Sequence, residues 1–295
     1  MRITYDVLRD GLSAVNTAAS DLAAAQQAVT TGRRINAVSD DPLGVLQAVG
    51  EHAGLGAVDA YSRARGSAAA RLAAADSVLS SYGDKVSAAI VAGLSARSST
   101  VTASARAAAA DQVRGLRDGI LADLNSTFHG TYLFSGTQSK TPAYAQVGGV
   151  WTYQGDAATT RVEVEKGRLV TVSFDGQAIA QGSDAENILT VLDTLEAAIT
   201  AGDSTAIGTA TAALERALDR GLRAQGSLGA DERGVDEAAL RLATLRRAGQ
   251  ARRSHLEDAN MAEAITKLSQ AETAYRAALG AVSTAERMSL LDYLR

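Results

Sequence analysis

Cysteine is missing altogether, which excludes disulfides, thiol catalysis and thiolate metal sites. Its absence also suits a chain threaded unfolded through a narrow export channel, where no crosslink can form on the way. Proline is nearly missing too: Pro42 and Pro142 are the only two in 295 residues, so long helices can run unbroken. Aromatic residues are scarce, at 4% of a chain that is 46% hydrophobic. Ala, Leu and Val must therefore supply most of the apolar surface, and thin Ala-rich interfaces suit long helices packed side by side better than a globule with a bulky core. There is no basic excess, with 29 Lys and Arg against 33 Asp and Glu. The footprint of a nucleic-acid-binding protein is lacking, and the doublets Arg33-Arg34, Arg246-Arg247 and Arg252-Arg253 read as solvated helix faces. No run of about 18 apolar residues occurs, so no transmembrane helix is expected. The N-terminal stretch carries Arg2, Asp6, Arg9 and Asp10 and has no apolar h-region, unlike a Sec-type signal. The composition fits a cytoplasmic protein or one exported without a cleaved signal.

Catalytic constellations are also lacking. His52, His129 and His255 each stand alone in sequence, without metal-ligand spacing or a carboxylate cluster. Gly54-Leu55-Gly56 follows no strand and lacks the third glycine of a phosphate loop; a helix break is expected there. Ser135 lacks the flanking glycines of a nucleophile elbow. The paired carboxylates Asp40-Asp41 precede Pro42 and a helical pattern. Asp41 as N-cap with Pro42 at the first helical position accounts for both residue types.

What the chain does have is periodicity. Leu8, Leu12, Val15, Ala19, Leu22, Gln26 and Val29 alternate spacings of 4 and 3, the seam of a coiled coil. Met261, Ile265, Leu268, Glu272, Tyr275, Leu279 and Val282 repeat the pattern at the other end. Ala264, Ala271, Ala274 and Ala278 flank that second stripe and permit close approach of another helix. Two matching seams predict that the termini pair with each other or with neighbouring subunits. Between them, Leu72 to Ala89, Val113 to Phe128, Ile188 to Ile199 and Leu214 to Leu222 carry further helical stripes, and Gly226 with Gly229 predicts a break before the last long helix. Seven of the aromatic residues cluster between Phe128 and Phe174. There, Arg161 to Glu165 and Val170 to Phe174 alternate like strands joined by a turn over Lys166 to Leu169. A second hairpin is predicted over Tyr144 to Tyr153, turning at Gly148-Gly149.

Several segments resemble one family. Thr31-Gly32-Arg33-Arg34-Ile35-Asn36 through Ser39-Asp40-Asp41-Pro42 is similar to a stretch shared by flagellins and hook-associated proteins. Pro42, where flagellins usually have Ala, favours the junction-protein branch. Tyr132-Leu133-Phe134-Ser135-Gly136-Thr137 followed by Thr141-Pro142-Ala143-Tyr144 resembles a segment of junction proteins. Leu256-Glu257-Asp258-Ala259-Asn260-Met261-Ala262-Glu263 matches their C-terminal motif, with Asn260 for the commoner Asp. Leu290-Leu291-Asp292-Tyr293-Leu294 resembles their ending. The chain is thus similar to the hook-filament junction (FlgL) family within the bacterial flagellin superfamily.

The expected fold is mainly α, with long antiparallel helices, terminal coiled-coil segments and a small β-rich inserted domain. Residues 1–42 and 255–295 are expected to form the terminal coiled-coil domain, 43–135 and 183–254 a helical rod, and 136–182 a β-rich outer domain. The assembly interface is expected at Leu8, Leu12, Val15, Leu22, Val29, Ile265, Leu268, Leu279 and Val282. The resemblance implies a secreted, non-enzymatic structural subunit of the flagellum, exported by the flagellar type III apparatus. Its implied place is the junction layer between hook-associated proteins and the flagellin filament. Implied partners are a hook-associated protein on the hook side, flagellin on the filament side, further copies in a helical ring and an export chaperone. Neither nucleic acid nor membrane is expected as a partner, and no cofactor or metal is assigned. The alternative is a short flagellin; a cytoplasmic coiled-coil adaptor and an enzyme are the other classes weighed.

Overall fold

The computed structural model describes the backbone of residues 2–293 and the side chains of residues 9–284. Leu8 and the ending at residues 290–294 fall outside the described side chains. Among the described residues seven helices and six short strands follow in the order α1 (Arg2–Thr31), α2 (Pro42–Ala96), α3 (Ala103–Leu124), β1 (Thr127–Phe128), β2 (Thr131–Tyr132), β3 (Tyr144–Val147), β4 (Val150–Tyr153), β5 (Arg161–Glu165), β6 (Arg168–Thr171), α4 (Gly176–Ala180), α5 (Ile188–Ala201), α6 (Ser204–Glu257) and α7 (Met261–Tyr293). The mainly helical expectation holds, and the chain has two compact units: Val58–Ala243, and Met1–Ala57 with Thr244–Arg295.

The near-absence of proline shows in helix length. α2 has 55 residues, about 80 Å at 1.5 Å per residue, and α6 has 54. Both run through the glycines expected to break them. At Gly54, Gly56, Gly226 and Gly229 the helix continues and an added Cβ would meet nothing within 4 Å. Each such glycine costs about 1 kcal/mol of helix propensity, too little to interrupt a helix anchored on either side by buried residues such as Leu214, Leu228 and Val235. The break before the last helix comes instead at residues 258–260.

Helix ends follow capping chemistry. Thr102 accepts from the Ala105 amide at 3.2 Å, Asn187 from the Thr190 amide at 3.1 Å and Asn260 from the Ala262 amide at 3.1 Å, each an N-cap interaction. Gly202, at φ 72°, closes α5 in the left-handed conformation. α3 stops at Leu124, short of the expected Phe128. Asn125 turns its amide side chain onto the backbone of Tyr144, donating to the Tyr144 carbonyl at 2.8 Å and accepting from the Tyr144 amide at 2.9 Å. Phe128 therefore belongs to a hairpin, β1–β2, which the periodicity did not announce; it turns at His129 (φ 49°) and Gly130 (φ 76°).

The other two hairpins were legible. β3 pairs with β4 from Tyr144–Tyr153 to Val147–Val150, around Gly148 and Gly149 at φ 61° and 86°, as a two-residue primed turn requires. β5 pairs with β6 around Lys166-Gly167, with a register shift between Glu163 and Glu165; β6 starts at Arg168, earlier than the expected Val170. The buried faces of these hairpins belong to the same apolar cluster as the helices of Val58–Ala243. Leu133, Phe134, Tyr144, Val164 and Val170 pack in it with Leu72, Leu79 and Val86 of α2, Ile120 of α3, Leu192 and Leu195 of α5, and Leu214 of α6. Polar staples hold them down. Arg71 of α2 donates to the Val172 carbonyl, to Thr131 Oγ1 at 2.7 Å and to the Tyr132 carbonyl at 3.0 Å. Trp151 Nε1 donates to Asp193 of α5 at 2.9 Å, and Glu165 and Arg168 pair with Arg241 and Glu237 of α6.

Candidate assembly site

Within the unit formed by the two chain ends, two turns are knitted together. Residues 32–41 lead from α1 to α2, and residues 258–260 lead from α6 to α7. The Arg34 amide donates to the Glu257 carbonyl at 2.7 Å and the Ala259 amide to the Gly32 carbonyl at 2.8 Å, giving an isolated antiparallel bridge between Arg33 and Asp258. The Arg34 guanidinium spans both turns, donating to the Leu256 carbonyl at 2.9 Å and to Asp41 Oδ2 at 3.1 Å. These are the last carbonyls of α6 and the cap of α2, so one planar fork serves two helix ends.

Asp41 is the N-cap of α2, as expected, and Asp40 closes the turn before it. Asp41 Oδ1 accepts from the Gly44 amide at 2.8 Å. Asp40 Oδ2 accepts from the Ala37 and Asn36 amides at 2.8 and 2.9 Å. These amides hold both carboxyls below the usual carboxylate range, with Arg34 adding to the effect at Asp41. Gly44 is required where it sits, since an added Cβ would overlap the Asp41 carboxyl and come within 2.8 Å of Ile35 Cδ1. Beside the turns, His52 Nε2 lies 2.6 Å from the buried Glu257, and Arg252 bonds Glu51 at 2.7 Å, holding the carboxyl of Glu51 low. Among the described residues no group of three His, Cys, Asp or Glu is placed to hold a metal ion, and no helix is long and apolar enough to cross a membrane.

From these turns α1 and α7 run back antiparallel and pack on each other. The two termini do pair, but through faces rotated from the expected seams. On α1 the half-buried positions Gly11, Val15, Ala18, Leu22, Ala25 and Val29 keep spacings of 4 and 3, with Ala19 and Ala28 at their edge. On α7 the corresponding set is Ala264, Leu268, Ala271, Tyr275, Ala278 and Val282, with Glu272 at its edge. Large and small residues alternate in both sets, so the helices approach closely; an added Cβ on Gly11 would sit 3.0 Å from Val282 Cγ2. Of the expected interface residues, Val15, Leu22, Val29, Leu268 and Val282 are half-buried in this pair. Leu12, Ile265 and Leu279 are left 51%, 55% and 43% exposed. The rotation also explains Gln26, a polar residue in the written seam that is exposed here. Three of the four alanines flanking the C-terminal stripe, Ala264, Ala271 and Ala278, lie on the inner face, and Ala274 is exposed. No sequence pattern announced that Arg34 would join the two turns.

The model of the family described as the bacterial flagellin N-terminal helical region matches residues 10–139, and that of the bacterial flagellin C-terminal helical region matches residues 211–294. Flagellar hook-associated protein 3 of Salmonella typhimurium is 28% identical, over 76% of this chain and 75% of its own length. Flagellar hook-associated protein 3 of Escherichia coli K12 is 30% identical, over 66% of each chain. The chain belongs to the FlgL branch of the bacterial flagellin superfamily. Solved structures share the fold. A putative flagellar hook-associated protein from Vibrio parahaemolyticus superposes with a TM-score of 0.71 at 19% identity, over 74% of this chain and all of that one. Xanthomonas campestris FlgL gives 0.63 at 16% identity, over 68% of this chain and 98% of that one. The knitted turns are built from two of the segments that resemble the FlgL family, residues 31–42 and 256–263, which lie far apart in sequence and meet in space.

Proposed function

We propose that this chain is a structural subunit of the bacterial flagellum, forming the junction layer between hook-associated proteins and the flagellin filament. The similarity to hook-associated protein 3 along most of the chain carries this reading and favours it over a short flagellin. The physical form agrees. α1 and α7 make a thin pair with apolar side chains left open along it, as suits a subunit completed by neighbours rather than a free-standing globule. The assembly contacts are assigned to Leu8, Leu12, Val15, Leu22, Val29, Ile265, Leu268, Leu279 and Val282. Residues 1–42 and 255–295 act as the terminal assembly domain, 43–135 and 183–254 as a helical rod, and 136–182 as the β-rich outer part. The protein is secreted by the flagellar export apparatus, with an export chaperone holding it before passage. It contacts a hook-associated protein on one side, flagellin on the other and its own copies within a helical ring. It has no turnover, no cofactor, and no nucleic-acid or membrane partner.

The test is a deletion strain examined by electron microscopy, with its culture supernatant blotted for flagellin. Hooks without filaments and flagellin free in the medium are expected. Normal filaments in that strain would remove the junction role, and bare hooks without released flagellin would point to a part in export instead.

A further inference from the structure

Tyr82 of α2 and Tyr144 of β3 are each 1% exposed, and both belong to the apolar cluster of Val58–Ala243. Burying the rings suits that cluster. Burying the phenols also takes two O–H groups out of water, and a buried polar group needs a hydrogen-bond partner. Among the described residues neither hydroxyl has a protein partner, and the two do not bond each other. Tyr153, beside them, is served differently. Its ring centroid lies 5.4 Å from that of Tyr144, and its hydroxyl lies 3.1 Å from the carbonyl oxygens of Phe134 and Asp156. Phenylalanine at 82 and 144 would fill the same space without stranding an oxygen.

The two phenols share one polar neighbourhood. Tyr82 rests on α6, since an added Cβ on Gly221 would come 2.9 Å from Tyr82 Cε1. The residue before that glycine, Arg220, is mostly buried. It donates to the carbonyls of Ile179 and Ala180 and to the carboxylate of Asp184, which leaves part of its five N–H groups unused. Its charge acts on both phenols, and Tyr82 acts on Tyr144. Tyr144 is fixed where it stands, because Asn125 bonds both its amide and its carbonyl.

We propose that a single internal water molecule is bound between the hydroxyls of Tyr82 and Tyr144, beside Arg220. A buried water makes about three hydrogen bonds, and two phenols with a spare guanidinium N–H supply that number. The water is a structural ligand with no turnover. It joins α2, β3 and α6, and so pins the β3–β4 hairpin to both long helices at a polar point inside an apolar core. Paired in this way the hydroxyls confer direction, since a slipped strand or helix would leave both of them stranded.

The test removes the hydroxyls one at a time and together in the full-length chain, keeping both rings. Trp151, the one tryptophan of the sequence, lies in Val58–Ala243 and reports denaturant unfolding of that unit by its fluorescence. Tyr82→Phe and Tyr144→Phe should each raise the unfolding constant about fivefold, the worth of one net hydrogen bond. The double variant should cost about as much as either single one, because both hydroxyls serve the same molecule and no stranded oxygen remains. Single variants as stable as the wild type, or more so, would mean that the hydroxyls are unpaired. A double effect of about 25-fold, the product expected of independent sites, would mean separate partners. Either result overturns the proposal. Oxygen-17 relaxation dispersion of the solvent counts long-lived internal waters directly, and the wild type should hold one more than the double variant. No difference, or a difference of two, would overturn it as well.

Discussion

Two arginines organise the molecule at the scale of single residues, and they do so differently. Arg34 is about half exposed, and its ion pair with Asp41 contributes little in water. Its value lies in the planar fork that reaches the Leu256 carbonyl and the Asp41 carboxylate together. Lysine keeps the charge but offers a single head. Arg34→Lys is expected to weaken the knitted turns by about 1 kcal/mol, one net hydrogen bond. Hydrogen exchange at the amides of Arg34 and Ala259 should then quicken about five-fold, with no change near Leu72 or Leu195. Arg71 is nearly half buried, and its desolvation lowers its pKa. Its hydrogen-bonding partners are the hydroxyl of Thr131 and the carbonyls of Tyr132 and Val172. Arg71→Met keeps much of the packing and leaves those carbonyls without their donor, a cost of about 1–3 kcal/mol. A fall in the melting temperature of the Val58–Ala243 unit checks this; an unchanged melt would mean that water replaces the guanidinium. Neither role was legible in the sequence, because each arginine acts on backbone atoms of segments remote in the chain, and backbone carbonyls leave no residue signature.

At the scale of elements, the sequence disclosed most where local chemistry decides the outcome. Gly148-Gly149 determined one turn through its positive φ values, and Asp41-Pro42 announced the start of α2 through capping. Its failures came where packing outweighs propensity. The glycines at 226 and 229 signal a break, yet α6 continues through them, because Leu228 and Val235 are buried on one face. The terminal seams were placed on the right helices, with half of their positions one residue off. A heptad pattern scores large residues, whereas this pair brings alanines inward and leaves Leu12 and Ile265 outside. The glycines give a paired prediction. Gly226→Ala and Gly229→Ala add a methyl to open space and should each stabilise the protein by about 0.5–1 kcal/mol. Gly93→Ala places a Cβ 2.7 Å from Thr211 Cγ2 and 3.2 Å from Leu195 Cδ1, and should destabilise it by about 1–3 kcal/mol through overpacking. Denaturant midpoints measure both. Loss of stability in the first pair would mean that the helix at residues 226–229 is not as regular as described.

At the scale of the whole molecule, the two units differ in what holds them. Asp40 and Asp41 at the knitted turns, and Asp156 and Asp184 in Val58–Ala243, are all held below their ordinary pKa by hydrogen bonds. Groups depressed in the folded state stabilise it above the ordinary carboxylate range and lose that contribution as pH falls through their lowered values. Acid should therefore loosen both units, with melting temperatures falling below about pH 4. Burial raises Tyr82, Tyr144 and Tyr153, all in Val58–Ala243. Their contribution is complete below the ordinary tyrosine pKa and is lost as pH rises above about 10, so alkali should act on that unit first. The apolar ledger is equally uneven. Tyr82, Phe134, Leu72, Ile120 and Leu195 are among many fully buried side chains of Val58–Ala243. In the unit of the chain ends, Ala48 and Ala264 are the buried apolar residues among those described, and neither is fully buried. Two alanines return little against a backbone ordering cost of about 1–2 kcal/mol per residue, and helical hydrogen bonds must supply most of the balance. In the isolated chain the α1–α7 pair should thus exchange its amides far faster than α2 does between Leu72 and Val86, by about 100-fold or more. Incorporation into flagella should slow exchange at Leu22 and Leu268 while leaving that at Leu79 unchanged, because neighbours cover the open apolar side. Equal protection of both units in the free chain would show that the pair is complete by itself, and the exposed Leu12, Ile265 and Leu279 would then need another explanation.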